Sequence, residues 1–127
     1  MIVRSQDDVR KADLHVDWGN GTSSRFLTTT DEMGFTLTDT LVNAGTTSLL
    51  EYKNHLEACY CFAGEGEVQD IATGKVYPIK PGTMYALNKH DRHYLTAKTD
   101  LRLVSVFNPP LKGHERHNLK AGGSSSY

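Results

Sequence analysis

Short β-prone segments separated by turn signals constrain the fold of this chain more than any other feature. They run from SRFLTT through GFTLTDTLV, TSLLEY, EACYCFAGEGEVQD, KVYPI, TMYAL and HYLTA to LRLVSVF. The turn signals between them are NAGT, GEGE, ATGK and KPGT, in which Gly, Asn and Pro supply turn conformations. Short strands at a spacing of roughly 8 to 12 residues are typical of antiparallel sandwiches and barrels. The chain is therefore predicted to be all-β.

One short helix is predicted before these strands. Residues 5–14, SQDDVRKADL, begin with a serine that can cap a helix, and acidic residues follow it. Residues 17–24, DWGNGTSS, are predicted to form a loop. Because a chain of 127 residues can bury one core, we predict a single domain.

The β pattern stops after Asn108-Pro109-Pro110. The charged segment that follows comes directly after the last strand, where it could act as a lid over the barrel; a solvated charged segment is the alternative. Residues 118–127, which end in AGGSSSY, are expected to be a flexible tail. The predicted organisation is a barrel with a C-terminal lid segment over residues 1–117, followed by that tail.

Charge and hydropathy narrow the class of partner. The formal net charge is -1, from 14 basic and 15 acidic residues, so no basic surface for nucleic acid or anionic membrane is expected. No apolar run reaches the length of about 18 residues that a membrane span needs. The first residues, MIVRSQDDVRKADLH, are too charged for a signal peptide. We expect a cytoplasmic protein that binds a small molecule, without a nucleic-acid or membrane partner.

The two cysteines, Cys59 and Cys61, lie on one predicted strand. Side chains two apart on a strand point the same way and are too far apart for a disulfide. We interpret them as buried free thiols in a reducing compartment, with a two-cysteine metal site as the alternative.

Two spaced motifs resemble the sequence signatures of cupins. The first signature is Gly-x5-His-x-His-x(3–4)-Glu-x6-Gly, and Gly45, Glu57 and Gly64 fit it. Glu51 and Lys53 stand where its two histidines would be. The resemblance implies an antiparallel jelly-roll barrel of the cupin type.

The second cupin signature is Gly-x5-Pro-x-Gly-x2-His. Gly82 and His93 fit it, while Asn88 and His90 replace its Pro and second Gly. The chain thus resembles a cupin that keeps the acid and the last histidine but lacks the histidine pair. Any metal site would therefore have more oxygen ligands, which are hard donors, than the histidine-rich site of a typical cupin.

Glu57 raises a specific question, because a buried carboxylate is costly unless it is paired or binds a cation. Glu57 and His93 are expected to project into the same barrel from facing strands, with Tyr85 nearby. The oxygens of Glu57 and Tyr85 and a nitrogen of His93 are suitable ligands for iron or zinc. Three protein ligands would leave coordination positions of the metal open for substrate. The alternative is a Glu57–His93 hydrogen bond beside a core tyrosine.

Longer stretches resemble one cupin family more closely. NHLEACYCFAGEGEV, PIKPGTMYALNKHDRHYL and VFNPPLKGHERH resemble ectoine synthase, as do MIVRS, SSRFL and MGFTLTDT, in register over residues 1–117. The resemblance implies one iron, with zinc as a possible substitute, held by a Glu, a Tyr and a His that match Glu57, Tyr85 and His93. It also implies a homodimer. Apolar segments such as RFL are expected at a sheet edge, which a second copy of the chain would cover.

The resemblance further implies a hydro-lyase reaction. In this family the α-amine of N-γ-acetyl-L-2,4-diaminobutyrate attacks the acetamide carbonyl of the same molecule, and loss of water gives ectoine, a compatible solute made under osmotic stress. Such an enzyme must fold its substrate, polarise a poor electrophile and move protons.

Family pocket positions match further residues. The implied catalytic residues are Tyr52, His55 and Tyr85. The implied substrate-binding residues are Arg25, Thr40, Tyr52, Phe107, Glu115 and His117. Arg25 would bind the substrate carboxylate with its guanidinium fork; its alternative is a surface arginine on an edge strand. The alternatives for Thr40, Tyr52 and Phe107 are structural packing.

The chain departs from the family pattern at several pocket positions. A tryptophan is usual where Gly21 stands, and the single tryptophan here is Trp18. Thr38 stands where the family often has a polar amide or an imidazole. Ser105 stands where the family frequently has a cysteine. We expect Gly21 to leave an aromatic-sized gap beside Arg25.

Three functions follow in order of preference. The first is a metal-dependent ectoine synthase. The second is a related cupin enzyme that cyclises or hydrolyses another small amide or amino acid, and the third is a ligand-binding cupin without catalysis.

Overall fold

A computed structural model describes residues 1–117, Leu119 and Tyr127 of the chain. Within this part no helix is long and apolar enough to cross a membrane. The predicted flexible tail, residues 118–127, otherwise lies outside the described residues.

The predicted N-terminal helix is present but shorter than expected. Helix α1 spans Gln6–Lys11, and the Ser5 hydroxyl accepts a hydrogen bond from the Asp8 amide. The Asp8 carboxylate accepts one from the Ser5 amide in return at 2.8 Å, which completes a capping box. Asp13 adopts a left-handed conformation with φ of 61°, so the chain leaves the helix there.

The strands form two antiparallel sheets, which confirms the predicted all-β fold. The strands are β1 His15–Asp17, β2 Gly21–Arg25, β3 Thr36–Val42, β4 Thr47–Leu50, β5 Leu56–Ala63, β6 Gly66–Asp70, β7 Val76–Ile79, β8 Met84–Leu87, β9 His93–Ala97 and β10 Leu101–Asn108. The larger sheet has the order β1-β2-β3-β10-β5-β8, and the smaller has the order β4-β9-β6-β7. The core lies between them.

Strand β5 explains how an acid comes to lie at the mouth of an apolar strand. Its buried residues alternate, so Glu57 shares the interior face with Cys59 and Cys61. Neighbouring β10 alternates in the same way, with Leu103 and Phe107 inward. The period of two therefore fixes Glu57 inside the barrel once β5 is paired with β10.

The predicted loop over residues 17–24 is partly wrong, because it contains most of β2. Ser23, Ser24 and Arg25 are buried there, so hydropathy does not reveal the strand. The expectation that RFL forms a sheet edge is also wrong. Strand β2 ends at Arg25 and lies between β1 and β3.

Candidate active site

A cavity of about 20 Å³ lies in the barrel interior. That space is close to the room one water molecule needs. Its walls include Thr40, Tyr52, Glu57, Cys59, Tyr85 and Phe107. Many of the sequence-predicted site residues therefore face one space in the barrel interior.

Glu57 is the only acid in the wall of this cavity as the described residues form it. It is 7% exposed and lies opposite Phe107 of β10 and Leu87 of β8. Burial raises the pKa of its carboxyl to about 8, and hydrogen bonding from Cys59 and other neighbours offsets this only in part. The protein surroundings alone therefore favour the neutral acid near pH 7, and a bound cation would favour the carboxylate.

His93 presents an unused nitrogen to the interior. Its Nδ1 donates to the carbonyl oxygen of Asp91 at 2.8 Å, which leaves the lone pair on Nε2. Nε2 is buried and has no hydrogen-bond partner within the described part of the chain. The alternative of a Glu57–His93 hydrogen bond is therefore wrong. A backbone carbonyl that fixes the tautomer of a buried histidine is the usual support for a metal-binding nitrogen.

Tyr85 completes the set that the resemblance implies. It lies on β8 opposite Cys59 of β5, and its ring packs 6.4 Å from that of His93. Burial raises the pKa of the Tyr85 phenol well above its ordinary value, and the nearby Cys59 and Glu57 raise it further. Glu57, Tyr85 and His93 thus come from β5, β8 and β9.

These residues fit a metal ion by donor type. A carboxylate, a phenol and an imidazole nitrogen without a partner are ligands that iron and zinc accept. No group of three His, Cys, Asp or Glu side chains in residues 1–117, 119 and 127 could hold a metal ion, so a three-residue site here would include a donor of another type, such as the Tyr85 oxygen. Cys59 and Cys61 are both buried and free.

Arg25 connects the barrel with the C-terminal segment. Its side chain is 0% exposed, so the alternative of a surface arginine is wrong. Nε donates to the Ser23 hydroxyl at 3.0 Å, and Nη1 donates to the Gly113 carbonyl at 2.8 Å. Nη2 donates to the Glu115 carbonyl at 2.5 Å and to the Tyr127 phenol at 2.6 Å.

Tyr52 and His117 form a polar pair inside an aromatic cluster. His117 Nε2 lies 3.3 Å from the Tyr52 phenol oxygen, and Phe107 packs edge-on against Tyr52 at 5.5 Å. Burial, together with the nearby His93 and Arg25, lowers the pKa of His117 to about 3. His117 is therefore a neutral imidazole at neutral pH.

The expected gap at Gly21 is wrong. A Cβ built on Gly21 would lie 1.9 Å from the Leu41 carbonyl oxygen, so no side chain fits there. Trp18 lines the cavity instead, with its ring edge-on to His117 at 5.9 Å. Its Nε1 donates to the same Leu41 carbonyl at 3.0 Å. The pocket thus has an indole wall although position 21 is glycine.

The other predicted residues lie at different depths. Thr40 lines the cavity and shares a 2.9 Å hydrogen bond with Thr38. His55 is buried edge-on to Phe107 at 6.3 Å. The Glu115 carboxylate accepts hydrogen bonds from the amides of residues 112 and 113 and is not part of the cavity wall.

Sequence reasoning missed several wall residues, among them Cys59 and Tyr127. Cys59 lies 3.4 Å from the Ser105 hydroxyl, and its alternation with Glu57 could have revealed its inward direction. Tyr127 belongs to the wall as well, but its sequence context of Gly and Ser gives no signal for burial.

A second cavity of about 440 Å³ lies beside the first. It extends along β7 and β8, and Tyr85 lines both cavities. His93, Asp70 and Asp91 line only the larger one. The residues of the candidate metal site thus stand between an aromatic cavity and a more open one.

The two antiparallel sheets form a barrel of the cupin type. A cupin 2 conserved barrel domain protein from Salinispora arenicola superposes with a TM-score of 0.64 at 22% identity, covering 84% of this chain and 87% of that one. At such identity the likeness concerns the fold.

Sequence comparison narrows the class. The family model for ectoine synthase matches residues 1–125. An L-ectoine synthase of Oceanobacillus iheyensis is 51% identical over 118 residues, which are 93% of this chain and 92% of that protein. The crystal structure of ectoine synthase from P. lautus superposes with a TM-score of 0.84 at 50% identity, covering 89% of this chain and 81% of that one. The chain belongs to the ectoine synthase family, and it is an enzyme of the lyase class.

Proposed function

We propose that this chain closes the ring of N-γ-acetyl-L-2,4-diaminobutyrate to ectoine with loss of water, as a metal-dependent enzyme. Membership of the family supports the reaction. The observation that supports the metal is the buried Nε2 of His93, which has no described partner and shares the barrel interior with Glu57 and Tyr85.

Glu57, Tyr85 and His93 would hold an iron ion, with zinc as a possible substitute. When bound, the metal would supply a Lewis acid that polarises the acetamide carbonyl. The chain's own part is to keep the donor atoms ready. The Asp91 carbonyl holds the proton of His93 on Nδ1, and the buried Glu57 would lose its proton to a cation that binds beside it.

Arg25 is the proposed partner of the substrate carboxylate. A guanidinium binds a carboxylate through parallel N–H donors, and burial strengthens such a pair because water does not compete. The aromatic rings of Trp18, Tyr52 and Phe107 would hold the short carbon chain bent. This orientation matters because both reacting groups belong to one flexible molecule.

The reaction needs two proton transfers. The amine nitrogen forms a bond to the carbonyl carbon, the C–O bond breaks, and both amine hydrogens end on the departing water. His117 is neutral, so its imidazole has a lone pair that can accept a proton, and because burial lowers its pKa it returns that proton readily. The Tyr52 hydroxyl, 3.3 Å from Nε2 of His117, can pass a proton between that nitrogen and the substrate.

Product analysis tests the proposed reaction. The iron-loaded protein is incubated with the acetylated diamine, and ectoine is measured by chromatography with mass detection. The matched pair of variants is His93→Ala and His114→Ala, because His93 is buried and His114 is exposed. Ectoine formation by the wild type and the His114 variant but not by the His93 variant is expected. Absence of ectoine with wild type would contradict the proposal.

We also propose that the protein acts in the cytoplasm as a homodimer. Tyr60 of β5 and Met84 of β8 are paired across the strands and are 50% and 58% exposed. Phe62, on the same outer face of β5, is also exposed. A second copy would cover this apolar face. Light scattering at micromolar concentration should give the mass of a dimer, and a monomer mass would contradict it.

A further inference from the structure

We propose that Tyr127 sets the substrate affinity of this enzyme by occupying the place of the substrate beside Arg25. Its side chain acts as an internal competitor that the substrate displaces. This inference rests on the proposed role of Arg25 in binding the substrate carboxylate.

The aromatic contacts of Tyr127 place it inside the pocket. Its ring stacks on His117 with a centroid distance of 4.3 Å and an interplanar angle of 17°. It also stacks on Phe107 at 5.5 Å and meets Tyr52 edge-on at 5.0 Å. The residue is 4% exposed. Tyr127 therefore lies among the residues that would hold the substrate.

The polar end of Tyr127 takes up the donor that a carboxylate needs. A guanidinium has five N–H groups, and four of those on Arg25 donate to described partners. Both hydrogens of Nη2 are used, one by the Glu115 carbonyl and one by the Tyr127 phenol. A carboxylate that binds both terminal nitrogens must therefore replace one of these two acceptors, and the phenol is the one that also fills the cavity.

The free volume agrees with this competition. With Tyr127 in the wall, the aromatic cavity has about 20 Å³, room for about one water molecule. An acetylated diamino acid with eleven or so heavy atoms needs several times the volume of a water molecule, so it cannot bind beside Tyr127 in this space. Release of this ring opens the space and exposes the Arg25 donor in one movement.

Charge explains why the substrate carboxylate can displace the Tyr127 phenol from Arg25. The phenol of Tyr127 is neutral, since burial raises its pKa to about 12. Both acceptors receive hydrogen bonds from the same charged guanidinium, but a carboxylate adds a negative charge of its own and can accept two parallel N–H bonds, whereas the phenol accepts one. Substrate binds only to molecules in which the Tyr127 ring has left the pocket. If about one tenth of the molecules are in that state, the apparent affinity for substrate is about tenfold weaker than without Tyr127.

Kinetics of Tyr127→Ala and Tyr127→Phe test the proposal, with Tyr77→Ala as control. Tyr77 is a half-exposed tyrosine of β7. The Ala variant should lower KM about tenfold with little change in kcat. The Phe variant keeps the ring but lacks the hydroxyl, so its KM should fall less. The control should match the wild type. A raised KM or a lowered kcat in Tyr127→Ala would overturn the proposal, because Tyr127 would then assist the bound substrate.

A second measurement needs neither substrate nor metal. Trp18 is the one tryptophan of the chain and lines the same cavity. Acrylamide should quench its fluorescence more strongly in Tyr127→Ala than in the wild type or in Tyr77→Ala. Equal quenching in all three proteins would overturn the proposal. If the wild type forms no ectoine, the proposed reaction fails, and quenching still decides whether Tyr127 fills the pocket.

Discussion

The Nε2 atom of His117 lies 3.3 Å from the phenol oxygen of Tyr52, and both side chains are buried. Burial lowers the pKa of His117 to about 3, from an ordinary value of 6.5. Because the folded pKa is depressed, the unfolded chain binds the proton more readily. The stabilisation from neutral His117 is complete above pH 6.5 and is lost as the pH falls towards 3.

This pair predicts a pH-dependent stability. Between pH 7 and pH 5 the free energy of unfolding should fall by about 2 kcal/mol more in the wild type than in His117→Gln, which cannot take up the proton. Urea unfolding at several pH values measures it. His114→Gln, at an exposed position, is the control and should behave as the wild type does. The same pH dependence in the wild type and His117→Gln would contradict the shifted pKa.

Replacement of Glu57 should remove the metal without unfolding the barrel. Glu57→Gln has nearly the same shape, and the buried site already favours a neutral group in the absence of a cation. Bound iron, measured by elemental analysis, should drop strongly, while Tm of the metal-free protein stays the same or rises. Glu51→Gln, a partly exposed acid, is the control. Full iron content in Glu57→Gln would mean that the acid is structural.

Gly21→Ala should destabilise the protein. Its new Cβ would stand 1.9 Å from the Leu41 carbonyl and close to Trp18 Nε1, so the chain must shift. Overpacking of this kind costs about 1–3 kcal/mol. Thermal unfolding measures the loss, and Thr22→Ala, at a partly exposed site on the same strand, should change Tm less. A Tm equal to that of wild type would show that β2 can move away from β3.

Removal of the segment after Gly113 should cost activity but leave metal binding intact. Leu111 is fully buried, so the cut must come after it. The truncated chain loses the Glu115 carbonyl, His117 and Tyr127 while Glu57, Tyr85 and His93 stay. Ectoine formation should fall at least tenfold, as expected when a proton-transfer group is removed. Activity equal to that of the full chain would argue against the lid.

Several features of the fold follow from local sequence. Ser5 and Asp8 have the spacing of a capping box, and the helix begins at the next residue after Ser5. The turn-bounded segments became strands, apart from SRFLTT, of which only the first two residues extend β2. Alternation on β5 places Glu57 inward. Caps, turns and alternation act over a few residues, so they can be predicted from sequence alone.

The candidate ligands remain a prediction, and it came from family resemblance more than from physics. Spacing alone left a Glu57–His93 hydrogen bond open as an alternative. The tertiary structure excludes it, because the tautomer of His93 and its missing partner depend on a backbone carbonyl and on packing from another sheet.

By itself the sequence determined an all-β barrel, its N-terminal cap and the inward direction of Glu57, since these depend on neighbours in the chain. Only the tertiary structure decided the pocket. Strand β2 is polar, and it is buried because β1 and β3 satisfy its backbone and Arg25 finds partners 88 and 90 residues away. Trp18 and Tyr127 reach the same cavity from opposite ends of the chain. Contacts over such separations depend on how the whole chain packs, which no local pattern encodes.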